Sequence, residues 1–386
     1  MRDLDTNLHE FERRGLLRKR REVDSPAGVR MQVDGRELLS FCSNDYLGLA
    51  NHPKLIAALK EGAERYGVGA GASPLISGHS AIQHALEERL AAFVGMPRTL
   101  HFPTGYMANL AVLPALATPG DTIFSDTLNH ASLIDAGRLA RAEVIEYPHC
   151  DPNALEVQLK ACSSAGKFVV TDSIFSMDGD IAPLPQLLDL CERYDAMLIV
   201  DDAHGFGVLG DKGHGVLTHF KLESSRLVYI GTLGKAAGVA GAFVAARAQI
   251  IEWLIQRART YIYTTASPPA LSVALMASLD VIENDEGEAR RSQLRTHIAQ
   301  LRTKLADLPF KLMSSQTPIQ PLLIGQNKKT LDIMRALDER GIWVPAIRPP
   351  TVPQGTARLR ISLSAAHSEK EVNRLAQALR ECAGDA

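Results

Sequence analysis

An α/β architecture is expected of this chain, with a mostly parallel central sheet, helices on both of its faces, and a smaller α+β domain at the C-terminal end. Two observations carry that expectation. Helical apolar spacing alternates with short apolar strands between roughly residues 53 and 245, and the pattern changes after Ser267-Pro268-Pro269. In order, helices are expected over 53–66, 81–93, 106–117 and 184–194, and strands over 122–124, 143–147, 168–171, 197–200 and 227–230. Several of these strands are β-branched and continuously apolar, as strands buried on both faces of a parallel sheet are. A long helical region then reaches about Leu305, followed by a strand at 319–324, a helix around 331–340, a strand at 359–362 and a last helix from Glu369. The expected organisation is an N-terminal segment, 1–50, a large domain, 51–280, and a small C-terminal domain, 281–386.

A chain of 386 residues is more than one core usually organises, which agrees with two domains. Its charge is balanced, Lys+Arg 42 against Asp+Glu 44, so no basic field exists to hold nucleic acid or an anionic membrane. A small molecule is the expected partner. The cysteines, Cys42, Cys150, Cys162, Cys191 and Cys382, are odd in number and scattered, without the pairing of a zinc site or a disulfide framework, and no metal is expected. The N-terminus, Met1-Arg2-Asp3-Leu4-Asp5, opens with charges, and there is neither an apolar signal core nor a run of 18 or more apolar residues. A soluble, cytoplasmic enzyme is the reading.

In an open parallel sheet, ligands gather beyond the carboxyl ends of the strands. Polar residues cluster there: Asp126 and His130 after the first strand, Asp172 and Ser176 after 168–171, Asp201 and His204 after 197–200, and Thr232 and Lys235 after 227–230. Lys235 lies in a glycine-rich turn, 34 positions after Asp201. A lysine among small residues at a strand end can form a Schiff base with an aldehyde, and an aspartate at a neighbouring strand end can keep a pyridine nitrogen protonated. Those are the two groups that pyridoxal phosphate needs most. Each residue alone has a plainer reading: a loop lysine is usually solvated, and an aspartate after a strand is often a helix cap, which suits Asp202. The combination carries the argument.

Other cofactor motifs fail on spacing. A P-loop needs a glycine where Tyr229 stands and a Ser or Thr where Ala236 stands. Gly67-Val68-Gly69-Ala70-Gly71-Ala72 satisfies a dinucleotide fingerprint in letters, but it follows a helical segment where the fingerprint follows a strand. The small-residue loop from Gly67 to Gly78 suits either a cofactor contact or an interface.

Joined to Ser43-Asn44-Asp45-Tyr46-Leu47-Gly48, Phe175-Ser176-Met177-Asp178-Gly179-Asp180 and Ala346-Ile347-Arg348-Pro349-Pro350-Thr351-Val352-Pro353, these residues resemble the α-oxoamine synthase family over almost the whole chain. The resemblance implies a fold-type I pyridoxal phosphate-dependent transferase, a homodimer with its active sites at the subunit boundary. Lys235 matches the Schiff-base lysine, Asp201 the partner of the pyridine nitrogen, His130 the histidine stacked on the ring, and Ser176 and His204 groups at its phenolic edge. Thr232 and the amides of Gly105 and Tyr106 match the phosphate site. A helix expected to open there also offers free N–H groups to an anion. Thr265 resembles the residue that reaches the phosphate from the other subunit, and a turn role fits it as well.

The segment from Ala346 to Arg360 looks most like that of the member that joins L-alanine to a pimeloyl thioester, on CoA or on acyl carrier protein, with loss of carbon dioxide. The resemblance then makes Lys235 the general base as well, and Arg348 the clamp for the amino-acid carboxylate, because a guanidinium grips a carboxylate with two hydrogen bonds. Arg18 and Thr351 resemble substrate-contacting residues; Arg18 lies in Leu17-Arg18-Lys19-Arg20-Arg21, where its register is open by one or two positions. The rival readings are a ligase of the same family using glycine and acetyl-CoA, and an aminotransferase of the same fold, which releases no thiol.

Overall fold

The computed structural model describes residues 3–384. The chain divides into two compact units, a larger one of residues 49–176 and 181–291, and a smaller one made of the chain up to Gly48, Met177–Asp180 and the chain from Ser292 onward.

The smaller unit begins with a helix, Leu4–Arg13, followed by a hairpin of β1 (Arg30–Val33) and β2 (Arg36–Ser40). Its two turn residues, Asp34 and Gly35, both have positive φ, 50° and 76°, the pairing that matches the twist of flanking strands.

The larger unit holds a seven-stranded sheet of β3 (Arg98–Phe102), β4 (Thr122–Asp126), β5 (Glu143–Tyr147), β6 (Lys167–Asp172), β7 (Met197–Asp201), β8 (Leu227–Thr232) and β9 (Ala242–Ala246), in the order β3-β9-β8-β7-β6-β4-β5. Strands β8, β7, β6, β4 and β5 are parallel, and β9 runs against both β8 and β3. This is the expected mostly parallel sheet. Val169, Leu198, Ile199, Val200 and Val228 are fully buried, each stabilising the unit by roughly 1.5–3 kcal/mol relative to exposure.

The observed strands outrun the expected ones at their carboxyl ends. Asp126, Asp172, Asp201 and Thr232 are the last residues of β4, β6, β7 and β8, where the sequence pattern had ended the strands earlier. Backbone pairing continues through them, with Asp172 opposite Asp201. Strands β3 and β9 escaped the pattern for physical reasons. Histidine and arginine interrupt the apolar run of β3, and β9 is alanine-rich, a poor strand composition that only its central place in the sheet overrides.

The long helical region expected up to about Leu305 is two helices, Pro269–Glu283 and Asp285–Leu305. Asn284 adopts extended backbone between them, and its Oδ1 accepts the N–H of Glu286 at 2.9 Å and of Gly287 at 3.3 Å, so it caps the second helix.

In the smaller unit, β10 (Lys311–Leu312), β11 (Ile319–Gly325), β13 (Ala346–Ile347) and β14 (Ala357–Ser362) form an antiparallel sheet, while β12 (Ile342–Trp343) pairs parallel with β2. That pairing ties the N-terminal residues to the C-terminal ones. Helices Asn327–Glu339 and Glu369–Gly384 complete the unit.

Candidate active site

Because β3 and β8 are both antiparallel to β9, the carboxyl end of β3 lies on the same sheet edge as those of β8, β7, β6 and β4. That edge brings together most of the residues singled out in the larger unit. Lys235, half-buried in the turn after β8, has its Nζ 2.9 Å from Nε2 of buried His204. Asp201 is 6% exposed, and both of its oxygens are held: Oδ1 accepts the Ala203 N–H at 2.9 Å, and Oδ2 accepts Asn109 Nδ2 at 2.6 Å.

Asn109 extends this contact into a chain. Its amide nitrogen also donates to Ser132 Oγ at 2.7 Å, and Ser132 Oγ lies 2.6 Å from His130 Nδ1. The carboxylate of Asp201 accepts only, which fixes the amide orientation of Asn109 and then the direction of every later bond. Ser132 accepts from Asn109 and donates to Nδ1 of His130, so the neutral imidazole carries its proton on Nε2. His130 caps the helix Ala131–Ala140 and remains exposed as a residue. Burial of its ring nitrogens lowers its pKa, against the opposing pull of Asp201.

Asp172 is buried beside this chain and accepts the His130 backbone N–H at 2.7 Å. Burial, and next the charge of Asp201, push its carboxyl well above the usual range, which relieves repulsion between carboxylates at matched register positions. Asp202 points the other way. It accepts Tyr229 Oη and the Val216 N–H, both at 2.8 Å, and the Ser173 hydroxyl, so it anchors the start of the helix Val216–Phe220.

The helix Gly105–Leu116 starts on the same edge, with Thr104 capping it through the Met107 N–H at 3.2 Å. A Cβ on Gly105 would lie 3.7 Å from Thr232 Oγ1, so the helix start and the Thr232 hydroxyl face one another. Tyr106 is exposed and donates its hydroxyl to Asp135. Ser176 is half-buried and Thr265 is exposed.

Arg18, Arg348 and Thr351 come together in the smaller unit. Arg348 Nη1 donates to the Gly15 carbonyl, its buried Nε has no protein partner, and Arg18 Nη2 lies 3.5 Å from Thr351 Oγ1. Burial, then the Arg18 charge, lower the Arg348 pKa. Two cations with an unmatched donor between them suit an anion.

Asn109 and Ser132 were missed by reading the sequence. The signal for Asn109 was present, since it is the lone amide in the otherwise apolar helix GYMANLAVLPAL. A lysine amine, a doubly held carboxylate, a histidine of fixed tautomer and a helix N-terminus form a donor set that fits an aldehyde-bearing pyridine phosphate.

Comparison with known proteins agrees. Residues 36–379 match the family Aminotransferase class I and II. An 8-amino-7-oxononanoate synthase of Herminiimonas arsenicoxydans is 58% identical over 380 residues, covering 98% of each chain. A structure of SPT with PLP superposes with a TM-score of 0.93 at 26% identity, covering 100% of this chain and 97% of that one. The 8-amino-7-oxononanoate synthase of Francisella tularensis has a TM-score of 0.77 at 31% identity, over 89% and 97% of the two chains. With motifs, fold and near-complete alignment in agreement, the chain belongs to the class I and II aminotransferase family and, within it, to the 8-amino-7-oxononanoate synthases.

Proposed function

We propose that this chain condenses L-alanine with a pimeloyl thioester, on CoA or on acyl carrier protein, giving 8-amino-7-oxononanoate, carbon dioxide and the free thiol, the reaction that feeds biotin biosynthesis. The observation that carries the reading is the Asp201–Asn109–Ser132–His130 chain beside the Lys235–His204 pair, in a chain 58% identical to a synthase of that name. Pyridoxal phosphate, when bound, supplies a protonated ring that accepts the electron pair left when alanine loses its Cα proton.

The residues divide that work. Lys235 would hold the cofactor's aldehyde through its ε-amine and would serve as the base for the Cα proton of alanine. His204, 2.9 Å away, steadies that amine. Asp201 keeps the ring nitrogen protonated, and Asn109 holds the carboxylate against rotation. His130, its tautomer fixed by Ser132, would hold the ring, with Ser176 and His204 as the groups for its phenolic oxygen. The amides of Gly105 and Tyr106, with Thr232, would hold the phosphate, and in a homodimer Thr265 would serve it from the other subunit. Arg348 takes the carboxylate of alanine through its unmatched donors, with Arg18 and Thr351 beside it. The new carbon–carbon bond joins alanine Cα to the thioester carbonyl, the carbon–sulfur bond breaks, the carboxylate leaves as carbon dioxide, and Lys235 returns the proton.

The test is thiol release by cofactor-loaded protein from L-alanine or glycine, each with pimeloyl-CoA or acetyl-CoA, with mass detection of the amino ketone. Thiol and 8-amino-7-oxononanoate from alanine with pimeloyl-CoA are expected. Preference for glycine with acetyl-CoA would move the chain to the ligase reading.

A further inference from the structure

A second cluster of ligating side chains lies in the larger unit, in a part of the sequence that the proposed reaction does not use. The helix Ala81–Val94 carries His84 and Glu87 one turn apart, and His79 sits just before its Ser80 cap. One ligand atom from each of His79, His84 and Glu87 lies within 4.8 Å of the others. His79 Nε2 is 4.0 Å from Glu87 Oε2, too far for a hydrogen bond and near the separation of two donors around one small ion. We propose that His79, His84 and Glu87 hold a divalent cation of the zinc class.

Three features of the surroundings support the site. The first is a cavity of about 20 Å³ lined by His79, Glu87, His101, Tyr261 and Thr264. It has room for one water, the usual fourth ligand of a three-residue zinc site. The second is His101, 8% exposed, whose buried Nε2 has no partner although it lines that cavity. A cation-bound water there would satisfy it.

The third is rigidity. Glu87 Oε1 accepts the His101 N–H at 2.8 Å, and the Glu87 carbonyl accepts Thr99 Oγ1 at 2.6 Å, which aims Oε2 at the gap. Ser80 and Gln83 form a capping box, and Gln83 Nε2 donates to the Ser267 carbonyl at 2.8 Å. Gly78 fixes the approach to His79. A Cβ there would lie 2.3 Å from the Ala72 carbonyl oxygen and 2.8 Å from Ala266, a separation no side chain allows.

Donor chemistry agrees. Two imidazoles and a carboxylate are a set that zinc accepts readily. Burial, then the nearby His84, lower the pKa of His79 and keep its ring neutral and ligating. Burial pushes Glu87 up to about 7, so a bound cation displaces a proton there. The side chains of His79 and His84 are 35% and 60% exposed, and His84 Nε2, now 3.5 Å from Glu88 Oε1, would exchange that contact for the cation.

The other cluster of this kind among the described residues, Asp126, His149 and Cys150, already spends its carboxylate. Asp126 accepts the Leu128 N–H, the Cys150 N–H and His149 Nδ1 at 2.8–3.0 Å.

The experiment is titration of chelator-treated, tag-free, cofactor-loaded protein with Zn²⁺ by calorimetry and with Co²⁺ by visible absorption. One ion per chain and a ligand-field band of tetrahedral type are expected. In the double variant His79→Ala/His84→Ala, at two partly exposed positions that leave the fold intact, affinity should fall about 100-fold or more, since loss of an outer-shell partner alone costs roughly 10- to 100-fold. Glu87→Gln, with its secondary structure checked by circular dichroism, should lose the Co²⁺ band. The proposal is overturned by non-saturable binding, by unchanged affinity in the double variant, or by zinc that leaves only on Asp126→Asn.

Discussion

The Lys235 cluster of the larger unit and the Arg348 cluster of the smaller unit are built on opposite principles. In the first, strand ends and helix starts hold each group on a fixed partner: Asp201 on Asn109 and Ala203, His130 on Ser132, Lys235 near His204. In the second, Arg348 rests on the Gly15 carbonyl while its buried Nε has no protein partner, and Arg18 stands 3.5 Å from Thr351. A preorganised site loses little on reacting, because its dipoles are already aligned before charge develops. A site with an unmatched donor gains most when its ligand arrives. The contrast supports the proposal that puts the chemistry at the strand ends and recognition of a carboxylate in the loop.

The largest effect expected is at Lys235. Lys235→Ala should abolish turnover while cofactor still binds without a covalent link, read as thiol release together with the absorption spectrum. Turnover retained in that variant would sink the assignment. Next comes Asp201→Asn, which keeps the shape and removes the charge. The rate of thiol release should fall on the order of 10²-fold or more, by analogy with the loss of one preorganised electrostatic partner, while the thermal midpoint stays near that of the parent. A near-normal rate would mean that another group holds the ring nitrogen.

Much of this cluster was legible in the sequence because strands written in β-branched residues end on polar ones, and only site chemistry or capping explains a repeated polar residue at that place. Lys235, Asp201, His204, His130 and Thr232 were readable for that reason. Asn109 and Ser132 were not, because their role arises where two successive helices converge on a strand end 92 positions beyond Asn109, a pairing no local period encodes. Strand β9 was hidden by its alanines, and the break at Asn284 by a helical pattern that runs straight through it. The unpaired Nε of Arg348 belongs to the same class of feature, since it depends on how residue 348 packs against Gly15.

The Arg348 cluster should respond differently from the strand ends. Arg348→Ala removes a charge-assisted clamp worth about 1.5–3 kcal/mol, so KM for L-alanine should rise about 10- to 100-fold with a smaller change in kcat. Arg348→Lys should recover little, because an ammonium cannot reproduce the two-pronged geometry. Equal losses in kcat and kcat/KM would instead place Arg348 with the groups that act on the transition state.

An effect on stability alone separates two neighbours in sequence. Asp201 and Asp202 are both buried, yet only Asp201 joins the Asn109 chain, while Asp202 serves Tyr229, Ser173 and Val216. Burial raises the Asp202 carboxyl from an ordinary 3.8 to about 6, against the three donors that favour its charge. The folded protein therefore binds a proton that the unfolded chain has released over that interval. The contribution of Asp202 to stability is fully present below pH 3.8 and is lost as the pH rises through about 6. Two pH units correspond to roughly 3 kcal/mol. Glu87, pushed up to about 7, acts in the same direction, and His101, pushed down to about 4 by burial, acts in the opposite one, so total stability mixes several slopes. The difference between parent and Asp202→Asn, from denaturation midpoints across pH 4 to 7, isolates the one group. It should slope by that amount. A flat difference would mean that the Asp202 carboxyl is not the group that binds this proton, and its part as the buried partner of Tyr229, Ser173 and Val216 would have to be redrawn.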